Sequence, residues 1–273
     1  MIYEKKQIVD LIYNRLKKNK DVLTKSFKSN SNLTSTKYCI LDNLLPEDLI
    51  YRTYIDFPEE DMWFYRNSFR ERKLTFAKLN ELSSPLPEMV TDSFHDPKIL
   101  NLVGEIVKIN NLKADNSLYA GGLSKMNQSH FLNPHIDNSH NADRSRYRRL
   151  NLLFYITPDI CENDGGNFEL WDKHVKTPLK IPSKFNRLII METTPTSWHS
   201  VDPVKSDISR CCVSNYYFTI DSPLEKDYYH VTSFYGRPGQ TWQRLYGSLD
   251  NFMRQQIATT FKITRGKKQV RDK

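Results

Sequence analysis

Apolar and polar positions change their period partway along the chain. Over residues 4–30, Ile8, Leu11, Ile12 and Leu16 recur at helical spacing with Lys and Arg on the other side, which predicts an amphipathic helix. Ser29, Asn30, Ser31 and Asn32 form a polar break after it. KYCILDNLLPEDLI then predicts a short strand, a turn and a helix begun by Pro46, Glu47 and Asp48, because proline and acidic residues suit the first helical turn. A further helix is predicted over about 86–107, with Phe94, Ile99, Leu100, Leu102, Val103 and Ile106 as its buried stripe. From about 117 the texture becomes that of strands. SLYAGGLSKM, RRLNLLFYIT, GGNFELWD, TPLKI, NRLIIME, SWHSV and RCCVSNYYFT are rich in branched and aromatic residues and alternate with turn clusters. This spacing predicts an antiparallel all-β core of about eight strands, a barrel or a jelly roll. Asn163-Asp164-Gly165-Gly166 is a strong turn signal within it. After Phe218 the pattern is irregular until LYGSLDNFMRQQIATTF, which predicts a closing helix. The organisation expected is a helical extension over 1–36, a main domain over 37–220 and a helical extension with a basic tail over 221–273.

Composition narrows the class. The 273 residues, 38% of them hydrophobic, can bury a sizeable core. No run approaches the roughly 20 apolar residues of a membrane-spanning helix, and the amino terminus carries charge where a signal peptide would be apolar. Cys39 and Cys161 are isolated, while Cys211 and Cys212 are neighbours in a strand and point to opposite faces. Free thiols in a reducing cytoplasm are the expectation. The net charge of +8 owes much to the tail, where Lys262, Arg265, Lys267, Lys268, Arg271 and Lys273 face only Asp272. No nucleic-acid-binding motif accompanies it, so the tail reads as a solvated, frayed end.

The candidate chemistry begins with His135-Ile136-Asp137. In an extended segment residues two apart share a face, so an imidazole and a carboxylate can converge on one metal. Alone, such a triplet is weak, and chance supplies it readily. His199 follows in TSWHSVDPV after several strands, and Arg210 stands eleven residues beyond it on the next strand. Two histidines and one carboxylate can occupy one face of an octahedral iron(II), leaving positions for a bidentate 2-oxo acid and dioxygen. An arginine can then hold the distal carboxylate of the acid through two parallel hydrogen bonds.

In this order of motifs the chain resembles the prolyl-4-hydroxylase-like branch of the iron(II)/2-oxoglutarate oxygenases. The resemblance runs from Lys37 to Thr219 and rests on YCILDNLLPEDL, NPHIDNSH, RRLNLLFYIT, NDGGNFELWD, NRLIIMETTPTSWHSVDPV and RCCVSNYYFT. It implies a double-stranded β-helix, or jelly-roll, core with flanking helices. It also implies iron(II), 2-oxoglutarate and dioxygen as cofactors, His135, Asp137 and His199 as the metal ligands, and Arg210 as the anchor of the 2-oxoglutarate C5 carboxylate. Tyr155 aligns with a tyrosine that helps hold that carboxylate, although a tyrosine packed in the core is the competing reading. The chain departs from the pattern at Lys125, where relatives place a co-substrate-binding tyrosine. Lys125 is expected to replace that contact, or a shifted Asn127 to do so. Tyr216 stands where the last core strand often carries Trp. An intact Asp137 favours hydroxylation, since related halogenases put a small residue there.

The substrate is less legible. His130 and Asn133 could line the pocket. HNADRSRYRR carries Arg144, Arg146, Arg148 and Arg149 between the metal turn and a strand, with Arg149 entering the strand. Such a loop suits a phosphate- or carboxylate-bearing substrate, and equally a solvated surface neutralised by Asp143. His140 follows the metal motif and His95, His174 and His230 fall outside it, and each is expected to be a surface or core histidine and not a ligand. The function implied is a dioxygenase that hydroxylates an unactivated C–H bond of a small molecule or a residue and releases succinate and carbon dioxide. A non-catalytic jelly-roll module for a glycan or protein is the alternative.

Overall fold

The computed structural model describes residues 3–28, 33–119 and 121–261. The helices are α1 (Lys5–Lys18), α2 (Lys20–Lys28), α3 (Glu47–Ile55), α4 (Leu86–Ser93), α5 (Pro97–Val107) and α6 (Thr241–Phe261). The strands are β1 (Tyr38–Asp42), β2 (Phe64–Asn67), β3 (Glu71–Phe76), β4 (Lys113–Ala114), β5 (Gly122–Met126), β6 (Phe131–Ile136) and β7 (Tyr147–Tyr155), then β8 (Phe168–Trp171), β9 (Pro178–Ile181), β10 (Arg187–Glu192), β11 (His199–Val201), β12 (Arg210–Thr219) and β13 (Ser233–Phe234).

All strands pair antiparallel in one curled sheet of order β1-β10-β7-β12-β5-β3-β6-β11-β8-β9, to which β2, β4 and β13 add at the sides. The two halves of this order are the two sheets of a jelly roll. β3 joins them, pairing with β5 through Leu74–Phe76 and with β6 through Glu71 and Arg72. The sequence pattern placed no strand between 55 and 85, because the β2–β3 hairpin is largely polar and half-exposed. The two long predicted helices are each broken. Asn19 ends α1, its backbone N–H turned back to Leu16 and Lys17. Asp96 and Pro97 start α5 afresh, the Asp96 carboxylate accepting from Lys98 N at 2.8 Å.

The major half of the sheet is covered by the helices. Ile8, Ile12 and Leu16 of α1, Val90 of α4 and Val103 of α5 share one core with Leu150, Leu152 and Phe154 of β7 and Val213 and Tyr217 of β12. The amino-terminal helices therefore cover the same sheet that builds the site. Alternation sends the other set, Asn151, Leu153 and Tyr155 of β7 with Arg210, Cys212, Ser214 and Tyr216 of β12, towards the inside of the curl. That is why β12 is buried almost throughout. All four cysteines are free thiols. Among the described residues no helix is long and apolar enough to cross a membrane. The basic tail lies outside the described residues.

Candidate active site

The inside of the curl is a cavity of about 810 Å³, and His135, Asp137, His199 and Arg210 all line it. β6 and β11 are neighbours in register, with His199 opposite His135, so that the two rings lie 4.0 Å apart by centroids. Asp137 follows β6 and returns to the same face. Ligand atoms of the three residues all fall within 4.8 Å of one another.

The hydrogen atoms of both imidazoles are already committed. His135 Nδ1 donates to the Asn133 carbonyl at 3.0 Å, and His199 Nδ1 donates to the Ser197 carbonyl at 2.9 Å. A carbonyl can only accept, so each Nε2 keeps its lone pair and turns it to the shared centre. Burial, together with the neighbouring His199, pushes the pKa of His135 down to about 3 and keeps the ring neutral.

Burial pushes the Asp137 carboxyl up, but the Arg148 charge and the two histidines outweigh it and hold the carboxyl well below its usual range. Arg148 Nη1 stands 3.3 Å from Asp137 Oδ2, and Asn151 Nδ2 donates to the same oxygen at 2.7 Å. His230 supports the turn from behind, its Nδ1 bonding the Asp137 carbonyl at 3.1 Å.

Arg148 reaches this position because of a bulge. Tyr217 pairs with Leu150, but Phe218 pairs with Arg148, so Arg149 is the extra residue. The slip turns Arg148 from the helix-covered face to the cavity face, where it is fully buried over the Tyr216 ring at 4.0 Å. Simple alternation would have assigned it the opposite face. Asn151 did leave a signal, a lone amide within the apolar run LNLLFY.

At the other end of the cavity Arg210 is buried against Tyr155, with its guanidinium carbon 4.7 Å from the ring centre. Its Nε donates to the Gly166 carbonyl at 2.9 Å and to Ser183 Oγ at 3.1 Å. The predicted glycine turn makes this seat. Gly165 and Gly166 both have positive φ, and a Cβ on Gly166 would press on the Arg210 side chain at 3.2 Å. Among the described residues Arg210 has no carboxylate partner, and the buried Tyr155 hydroxyl has no hydrogen-bond partner. A buried cation on the cavity wall, with a tyrosine packed against it, fits the distal carboxylate of a small acid.

Other expectations need correcting. Lys125 does not line the cavity. It lies on the opposite face of β5 from Ser124 and Met126 and pairs with Glu60. Asn127 accepts a bond from Ser209 and lies outside as well. His130 stacks on Tyr65 away from the cavity. Asn133 sits behind the triad, its amide bound to the Phe69 carbonyl at 2.7 Å. Arg146 is outside the cavity, whereas Arg144 lines it and lies 3.9 Å over the Tyr229 ring. His140, which follows the metal motif and is not among its ligands, joins this wall among Tyr147, Tyr228 and Tyr229.

Residues 121–218 match the family model of the 2OG-Fe(II) oxygenase superfamily. No curated protein sequence matches the chain. Among solved structures, a prolyl hydroxylase from Trichoplax adhaerens, in complex with a hypoxia-inducible-factor peptide fragment, superposes with a TM-score of 0.53 at 16% identity, covering 74% of this chain and 91% of that one. A prolyl-4-hydroxylase from Pseudomonas putida gives 0.51 at 10% identity, covering 72% and 98%. At this identity the likeness establishes the shared jelly-roll fold.

Proposed function

We propose that the chain is a 2OG-Fe(II) oxygenase with iron(II), 2-oxoglutarate and dioxygen as its cofactors, that His135, Asp137 and His199 hold the iron and that the cavity hydroxylates a C–H bond of its substrate. The observation that carries this assignment is the convergence of two Nε2 lone pairs and one carboxylate whose other contacts are all satisfied by the protein. Two nitrogens and one oxygen on one face are the donor set that suits iron(II) with open positions.

When bound, iron(II) supplies the redox chemistry that couples decarboxylation of 2-oxoglutarate to succinate with oxidation of a C–H bond. The chain supplies position and charge. Arg210 and Tyr155 hold the C5 carboxylate, which aims the 2-oxo group of the co-substrate at the triad. Arg148 and Asn151 fix the Asp137 carboxylate and keep it ionised. His140, Arg144, Tyr216 and Tyr229 form the wall left for substrate. The aromatic faces and the Arg144 guanidinium suit a substrate with both apolar and anionic parts.

Purified protein reconstituted with iron(II) is expected to convert 2-oxoglutarate to succinate in air, slowly without substrate, and His199→Ala is expected to stop it. Succinate formation undiminished in His199→Ala would remove the assignment.

A further inference from the structure

The last helix is built inside out. Its polar residues face the protein. Arg244 donates to the Val175 carbonyl at 2.7 Å, and Asn251 both accepts from and donates to the Phe234 backbone at 2.9 and 2.7 Å. Gln255 donates to the Tyr229 carbonyl at 2.7 Å. Between them Gly247 lies against β13, where a Cβ would meet the Phe234 carbonyl at 2.9 Å. The apolar residues face outwards. Trp242, Leu245, Tyr246, Leu249, Phe252 and Met253 are all exposed, Trp242 at 79% and Leu249 at 61%. Six such side chains together present on the order of 600 Å² of apolar surface, the upper end of what a monomer leaves bare.

Three observations say what covers this face. At 100° per residue the six positions spread over an arc of about 120°, wider than the seam two coiled helices share and suited to a plane. The chain continues from α6 into residues 262–273, which carry six Lys or Arg against one Asp. Two copies docked through this face would bring like charge with them, whereas an anionic surface complements it. The patch also borders the cavity. Tyr246 meets Phe69 edge to face at 5.1 Å, and the exposed Phe64 lines the cavity mouth together with Arg254 of α6.

We propose that α6 and the basic segment after it dock the protein on an anionic lipid bilayer. The apolar face of α6 enters the headgroup region and the basic segment supplies the second, electrostatic attachment that a stable peripheral association needs. The cavity mouth then faces the bilayer, and a substrate carried on a lipid is the class that reaches it. That last step rests on the oxygenase reading above, whereas docking is measured without turnover.

The test is flotation of the full chain with vesicles of phosphatidylcholine alone and with vesicles containing about one-third phosphatidylglycerol. Wild type is expected to float with the anionic vesicles, at least tenfold more than with the neutral ones, and to be released by raised salt. Leu249→Glu/Phe252→Glu points outwards from the fold, so it should keep the wild-type melting temperature and lose binding at least tenfold. Truncation after residue 261 keeps the apolar face and should lose the preference for anionic vesicles. Absence of wild-type flotation would overturn the proposal, as would flotation of Leu249→Glu/Phe252→Glu equal to that of wild type. A concentration-dependent dimer that Leu249→Glu/Phe252→Glu dissolves, without vesicle binding, would give the face to a second copy and overturn it too.

Discussion

Two buried arginines stand on the same curved wall, one on β7 and one at the start of β12, and the chain treats them oppositely. Arg148 has a carboxylate of its own, Asp137, and a neighbouring amide that steadies it. Arg210 is anchored through its Nε and is given no carboxylate among the described residues, while the hydroxyl beside it is left without a partner. Arg148 is thus balanced by a carboxylate while its Nε and Nη1 make no hydrogen bond. Arg210 has its Nε bonded and no carboxylate among the described residues to balance it, the arrangement on which the proposed anion site rests. A metal site needs its ligands ionised and aimed in advance. A co-substrate site needs the opposite, an unspent cation whose desolvation is repaid when the ligand arrives.

Substitution of each arginine separates the two roles. Arg148→Met leaves Asp137 buried without its countercharge and is expected to cost roughly 3–5 kcal/mol of metal-free stability, read by urea unfolding. Arg210→Met removes a buried charge that no carboxylate among the described residues balances, and Ser183 still donates to the Gly166 carbonyl at 2.6 Å. Its metal-free stability should stay within about 1 kcal/mol of wild type, while 2-oxoglutarate binding weakens about 100-fold, as expected for two charge-assisted hydrogen bonds. Equal destabilisation by both substitutions would break the comparison.

Acid should weaken the fold through its buried histidines, His135 most of all. His135 is held at about 3 in the folded chain, against about 6.5 for an ordinary histidine. Between those values the unfolded chain binds a proton that the folded chain refuses, so stability falls as pH falls from 6.5. From pH 7 to pH 5 the loss from this residue is about 2 kcal/mol, and burial depresses His95, His130, His140 and His230 in the same direction. Melting of the metal-free protein at a series of pH values checks this, and a flat profile between 7 and 5 would contradict it. The smallest effect is expected from Tyr155→Phe. Removing a hydroxyl with no partner should leave melting unchanged or slightly raised, and weaken 2-oxoglutarate binding about tenfold, near 1.4 kcal/mol.

How much of this was legible in the sequence follows the same division. The triad and Arg210 were readable because each sits at a strand end where the period of two, the HxD spacing and the glycine turn fix its direction. Arg148 was not, because the bulge at Arg149 reverses a face that alternation would otherwise assign. Lys125 was misplaced for a related reason. Its number in the motif is right, but Ser124 and Met126 hold the cavity face of β5 and leave Lys125 to Glu60. The β2–β3 hairpin was invisible because its residues are mixed and half-exposed, and only pairing with β5 and β6 makes them strands. The outward apolar face of α6 could be counted from its heptad-like spacing. Which side met the protein could not, since apolar stripes usually turn inwards.

Arg148 is paired with Asp137, whereas the proposed partner of Arg210 is the distal carboxylate of 2-oxoglutarate. Anaerobic calorimetry of the iron(II) protein with 2-oxoglutarate, and with a 2-oxo acid that lacks the second carboxylate, tests that partnership most directly. Wild type should prefer 2-oxoglutarate about 100-fold and Arg210→Met should bind the two acids alike. Retention of the preference in Arg210→Met would contradict the account.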